Sequence, residues 1–165
     1  MVNSQQWYFA YGSNMLSDVF ITRRKIQPLR SEVARIETHT LSFNIMGIPY
    51  TDPAMGGLRV AENQDLPAYG VAYLLSPDDM KRVIVSEGGG IAYKTEVFRA
   101  TLQKDGSEVN VTSLLGRHSI PRSYERLPSS RYTDLLIRGA SEHALPDSYQ
   151  KRLLSQLGFG EEVMD

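Results

Sequence analysis

Glu87 stands directly before Gly88-Gly89-Gly90. A helix that runs into three glycines ends there, so this carboxylate falls in a last helical turn, at the negative end of the macrodipole. Apolar neighbours such as Val85 and Ile91 add desolvation. Both effects raise a carboxylate pKa, and a general base working near neutrality needs such a raised value. The plain alternative is an exposed glutamate beside a flexible helix end. A second candidate lies near the N-terminus. The apolar run 7–11 stops at Gly12-Ser13-Asn14, and Met15-Leu16 follows at once. Consecutive backbone N–H groups between a strand and a helix can cradle a carboxylate or an oxyanion, although an ordinary turn has the same composition. Tyr11, Tyr93 and Tyr132 can each supply a pocket wall with a polar tip, or simply pack in the core.

Other chemistries find little support. With no cysteine, disulfides, thiolate metal sites and a cysteine nucleophile are excluded. His39, His118 and His143 are widely separated and form no H-x-H or HExxH pairing, which argues against zinc. Gly88-Gly89-Gly90 lacks the GxxxxGK[ST] and GxGxxG patterns and follows a helix instead of a strand, so it is no phosphate loop. No GxSxG marks a nucleophile elbow. The net charge is −1 with both signs interleaved, unlike the clustered basic face of a nucleic-acid binder. Arg23-Arg24-Lys25 is the only basic run and reads as a solvated face. The start, MVNSQQ, has no basic or apolar leader region, and no apolar run nears ~20 residues. These features and the missing cysteines fit a cytoplasmic protein. The sequon at Asn110 reads as incidental.

The elements that must hold these residues are legible in part. At 165 residues the chain suits a single domain spanning 1–165. Residues 7–11 read as a strand, and Ser17-Asp18 as a helix start with Val19 and Phe20 as its apolar contacts. Leu41, Phe43 and Ile45 alternate as a half-buried strand. Residues 46–67 are rich in Gly, Pro, Asn and Asp and read as irregular, with a short strand near Leu58-Arg59-Val60. Residues 69–75 read as a buried strand. Ser76-Pro77-Asp78-Asp79 then starts a helix, with Met80, Val83 and Ile84 as its apolar stripe. Strand-like runs 93–102 and 108–115 flank Lys104-Asp105-Gly106-Ser107, a hairpin signal. Helices are expected over about 130–144 and 147–157, separated by Pro146. Strands and helices mix without regular alternation, which predicts an α+β fold with a curved sheet or barrel and helices outside.

Three stretches, in order, resemble the γ-glutamylcyclotransferase family, including its AIG2-like relatives. They are YFAYGSNM (8–15), SEGGGIAYKTEVF (86–98) and LPSSRYTDLLIRGASEHALPDSYQKRL (127–153). The last favours the glutathione-degrading type over the γ-glutamylamine type. The resemblance implies a small mixed β-barrel flanked by helices, with no metal and no cofactor. It implies cyclisation of a γ-glutamyl group: the substrate's α-amine attacks the γ-carbonyl, giving 5-oxoproline and releasing the attached amine. Carried onto this chain, it makes Glu87 the general acid/base, and Tyr11, Gly12, Ser13, Asn14 and Met15 the loop that grips the glutamyl end. Tyr93 and Tyr132 would line the pocket. The expected partner is a small γ-glutamyl substrate, with no nucleic acid or membrane, and the protein would be a monomer or homodimer. Gly56-Gly57-Leu58 is similar to the family's Gly-Gly-Ile segment, whereas the rest of 46–67 is only loosely familiar. RRKIQPL and GIPYTDPA look more like fungal members, some of which process glutathione adducts in making sulfur-containing metabolites. A γ-glutamylamine cyclotransferase and a non-catalytic binding module on the same fold are the competing expectations.

Overall fold

A computed structural model of the chain describes residues 5–48, 52–86, 93–116 and 127–156, without the side chains of residues 44–48, 52–55 and 156. The strands are β1 (Gln6–Ala10), β2 (Arg30–Ile36), β3 (His39–Ile48), β4 (Asp52–Val60), β5 (Ala68–Leu75), β6 (Tyr93–Leu102) and β7 (Glu108–Gly116). The helices are α1 (Pro77–Ser86), α2 (Ser130–Glu142) and α3 (Asp147–Gln156). The fold is α+β. Five strands close a barrel in the order β1-β5-β2-β6-β7, and β3 and β4 form a separate two-stranded ribbon.

β5 joins β1 to β2 in the barrel. It pairs antiparallel with β1 along one edge and with β2 along the other. Six of its eight residues are buried, on both faces of the strand, and the nearly continuous apolar run AYGVAYLL suits that burial. β7 returns to β1 in parallel and closes the barrel. The β6–β7 hairpin turns where the Asp-Gly pair stands: Gly106 has φ 75°, a left-handed value that glycine adopts without strain. The Asp105 carboxylate accepts from the Ser107 amide (2.9 Å) and hydroxyl (2.7 Å), which fixes the turn.

Two local expectations need correction, and one strand was not foreseen. Residues 46–67 are not mainly irregular, because β3 and β4 pair from His39↔Val60 to Ile48↔Asp52, with a register shift between Ser42 and Ile45. Glycine and proline lower strand propensity, and cross-strand pairing overrides that preference. Ser17-Asp18 starts no regular helix. Asp18–Thr22 makes a single π turn, and no side chain caps it. Its apolar pair behaves as expected, with Val19 and Phe20 buried. β2 was not expected at all: only Ala34 and Ile36 of its seven residues are fully buried, too short an alternation to read.

The helices start where their caps predict. The Ser76 hydroxyl accepts from the Asp79 amide (3.2 Å) ahead of α1, and the Ser129 hydroxyl from the Tyr132 amide (3.1 Å) ahead of α2. Inside, Tyr8 stacks on Phe20 with centroids 5.5 Å apart, and Phe20 on Tyr73 at 4.3 Å.

Candidate active site

The loop leaving β1 is held open by its own hydrogen bonds. Residues Ser13–Met15 form one 3-10 turn. The Met15 amide donates to the Gly12 carbonyl (3.0 Å), and the Leu16 amide to the Ser13 carbonyl (3.1 Å). Those bonds involve the downstream amides. Among the described residues no protein acceptor meets the amides of Gly12 and Ser13, so they can serve an anionic or carbonyl oxygen.

This loop borders a pocket lined, among the described residues, by Tyr8, Tyr11, Gly12, Ser13, Asn14, Gly56, Tyr93, Leu114 and Tyr132. The walls come from β1, the ribbon, β6, β7 and the first turn of α2. Tyr11 and Tyr132 are fixed by their partners. Tyr11 donates its hydroxyl to the Leu114 carbonyl (2.7 Å). The Tyr132 hydroxyl accepts from the Gly56 amide (2.9 Å). A Cβ added at Gly12 would lie 2.8 Å from that same oxygen, and one at Gly56 2.9 Å. The Tyr132 hydroxyl therefore fits between loop and ribbon only because both facing residues are glycine.

The back of the loop rests on α2 and β5. The Glu142 carboxylate accepts from the Ser17 amide (2.8 Å). The Tyr73 hydroxyl donates to the Met15 carbonyl (3.2 Å), and burial raises its pKa, so it stays a donor. On the loop's other side the Arg24 guanidinium donates to the Asn14 side-chain oxygen, and the Asn14 amide nitrogen donates to the Tyr8 hydroxyl (3.2 Å).

Of the residues singled out in the sequence, Tyr11, Gly12, Ser13, Asn14, Tyr93 and Tyr132 line this one pocket. Met15 does not: its side chain is fully buried behind the loop. Glu87 follows the last residue of α1 directly and lies outside the described residues, as do Gly88-Gly89-Gly90. Tyr8, Gly56 and Leu114 also line the pocket, and sequence reasoning did not place them there. For Gly56 the signal was the Gly-Gly pair inside a strand, a mark of close approach. Arg24 reads in the sequence as part of a solvated run, yet it bonds to the loop. Among the described residues no cluster of three or more His, Cys, Asp or Glu could hold a metal ion, and no helix is long and apolar enough to cross a membrane.

No family model matches the chain. The γ-glutamyl cyclotransferase gliK of Claviceps purpurea is 54% identical over 146 residues, covering 86% of this chain and 66% of that protein. This chain thus spans just under two thirds of that relative's length. The γ-glutamyl cyclotransferase verK of Clonostachys rogersoniana is 35% identical over 146 residues, covering 76% of this chain and 80% of that one. A solved γ-glutamyl cyclotransferase structure superposes with a TM-score of 0.75 at 22% identity, over 91% of this chain and 86% of that chain. That likeness shows the fold.

Proposed function

The chain belongs to the γ-glutamyl cyclotransferase family, and from that premise we propose that it cyclises the γ-glutamyl group of a γ-glutamyl peptide, amino acid or glutathione-type conjugate to 5-oxoproline. The observation that carries the proposal is the convergence of the Gly12–Asn14 loop, Gly56 and Tyr132 on one pocket.

Cyclisation needs the substrate's α-amine held against its own γ-carbonyl. Fixing that geometry replaces chemistry the protein would otherwise have to supply, since intramolecular attack gains much of its rate from proximity. The amides of Gly12 and Ser13 would receive the substrate's anionic end or the oxyanion that forms at the γ-carbon. The tyrosine rings close the pocket around the aliphatic part of the glutamyl chain. Glu87 is the general base of this mechanism. It takes the proton from the α-amine as the C–N bond of the ring forms, and returns it to the leaving nitrogen as the amide bond breaks. In the sequence it directly follows Ser86, the last residue of α1, and a general base working near neutrality needs a raised carboxylate pKa.

A substrate panel tests this reading and separates leaving groups. γ-Glutamyl-alanine, glutathione and ε-(γ-glutamyl)-lysine are each incubated with the protein, and 5-oxoproline is measured. Release from the first two and little from the third is the expected result. Release from γ-glutamyl-lysine alone would identify a γ-glutamylamine cyclotransferase. Binding of all three with no 5-oxoproline would make the protein a non-catalytic module.

A further inference from the structure

Behind the site loop, side chains from two elements meet at one nitrogen of His143. Its Nε2 lies 3.4 Å from the Tyr73 hydroxyl of β5 and 3.4 Å from the Glu142 carboxylate at the end of α2. Each of these partners already holds the loop. The Tyr73 hydroxyl meets the Met15 carbonyl, and the Glu142 carboxylate meets the Ser17 amide. Both contacts fall directly downstream of Gly12–Asn14.

The polarity of this cluster follows from what each atom can do. A carbonyl only accepts, so the single Tyr73 hydrogen goes to Met15. Burial, helped by the Glu142 charge, raises the Tyr73 pKa, so that hydrogen stays in place. The phenol oxygen is then an acceptor toward His143, and the Glu142 carboxylate is an acceptor as well. Two acceptors at one nitrogen require a hydrogen on it, so the neutral ring is the Nε2–H tautomer. One N–H shared by two oxygens makes a three-centre bond, and both legs are longer than the usual length of about 2.9 Å. The Nδ1–H tautomer would undo both loop contacts. Its bare Nε2 would repel the carboxylate and draw the Tyr73 hydrogen away from Met15.

The end of α2 fixes the ring at this place. The His143 amide donates to the Gly139 carbonyl (3.2 Å), the Ala144 amide to the Ser141 carbonyl (3.1 Å) and the Leu145 amide to the Ala140 carbonyl (3.0 Å). This is a Schellman ending. Ala144 takes its left-handed position, with φ 55°, a strain that glycine would avoid. Leu145 is buried just beyond. Held on both sides, His143 meets the Tyr73 ring edge-on, with centroids 6.1 Å apart.

We propose that His143 is a positioning residue: its Nε2–H, shared between Tyr73 and Glu142, holds the Met15 carbonyl and the Ser17 amide and so keeps the substrate loop in place. That this loop grips a γ-glutamyl group rests on the cyclotransferase reading; the tautomer and the support of the loop do not.

The first tests need no turnover. Long-range proton–nitrogen NMR spectra over a rising pH series give the tautomer of the neutral ring, with the His143 signals assigned by their loss in His143→Gln. Nε2–H is the expected form, and Nδ1–H would overturn the proposal. Hydrogen exchange at the Ser17 amide reads the support of the loop. His143→Gln keeps a donor near the place of Nε2, whereas His143→Leu, of similar size, has none. Exchange should quicken by about tenfold in the leucine variant, the worth of one ordinary hydrogen bond, and by less than about threefold in the glutamine variant. Equal exchange in the two variants would overturn the proposal, since the side chain would then act by bulk alone. The same pair is then read as kcat/KM for 5-oxoproline release, with a fall of about tenfold for His143→Leu and less than about threefold for His143→Gln. In a Tyr73→Phe background the leucine change should cost less, because one of the two contacts it breaks is already gone; an undiminished loss there would also overturn the proposal. If the protein turns over no γ-glutamyl compound, the cyclotransferase reading falls, and the tautomer and exchange results still decide the role of His143.

Discussion

The Tyr132 hydroxyl sits where a side chain at Gly12 or Gly56 would begin. From the sequence, Gly12 has a reason to be small in letting substrate reach the backbone. The structure adds a second reason, the approach of Tyr132 to 2.8 Å of a Cβ at that position. That contact joins residues far apart in the chain, so no local pattern announces it. It predicts that Gly12→Ala destabilises the fold by about 1–3 kcal/mol, the usual cost of overpacking. Deleting the hydroxyl leaves the nearest Tyr132 atom at 3.9 Å, an ordinary contact. Urea denaturation of the Gly12→Ala/Tyr132→Phe double variant should therefore show less loss than the sum of the two single changes; simple additivity would contradict the account. Arg24 was equally hidden, because a run of three basic residues looks like a solvated face whether or not one of them turns inward. Glu87 stands out in the sequence through its glycines, and it lies outside the described residues. If it is the base, Glu87→Gln should lower kcat for 5-oxoproline release by about 10²–10⁴-fold with an unchanged circular dichroism spectrum.

α2 serves the site at both ends. Its first turn carries Tyr132 into the pocket, and its last turns support the loop from behind through Gly139 and Glu142. A Cβ at Gly139 would meet the Met15 Cβ at 2.8 Å and the Leu16 amide nitrogen at 2.9 Å. Two effects compete in Gly139→Ala. Alanine in a helix interior is worth roughly 0.5–1 kcal/mol over glycine, whereas forcing backbone apart costs about 1–3 kcal/mol. The clash should win, so the variant is expected to melt lower and to turn over more slowly, because the loop must shift. A raised melting temperature with full activity would show that the loop tolerates the added methyl group. The helices and the β6–β7 hairpin were legible because caps and turn residues act locally. β2 and the β3–β4 ribbon were not, since their strand character comes from pairing with distant segments.

Two tyrosines between the barrel strands and the elements packed on them have no access to water. Tyr73 and Tyr149 are both fully buried. Burial raises the pKa of each, that of Tyr149 to about 12, against about 10 for an unfolded tyrosine. The folded state thus holds these protons more tightly than the unfolded chain does. The stability they contribute is complete below pH ~10 and is lost as pH rises from there toward 12. Melting temperature should fall steeply across that window, and less steeply for Tyr149→Phe; the same slope for both would contradict the assignment. The mixed α+β class followed from element order, and the barrel was one of two sheet forms that order allowed. Its closure depends on the parallel β1–β7 pairing that no single segment encodes. The central claim concerns what this barrel holds at its loop-lined pocket. The most direct measurement follows 5-oxoproline and free amine together from γ-glutamyl-alanine and glutathione, with the unaltered protein and with Glu87→Gln. The account predicts equal amounts of the two products from at least one substrate, and near-abolition by the substitution. Free amine without 5-oxoproline, or undiminished turnover by Glu87→Gln, would contradict it.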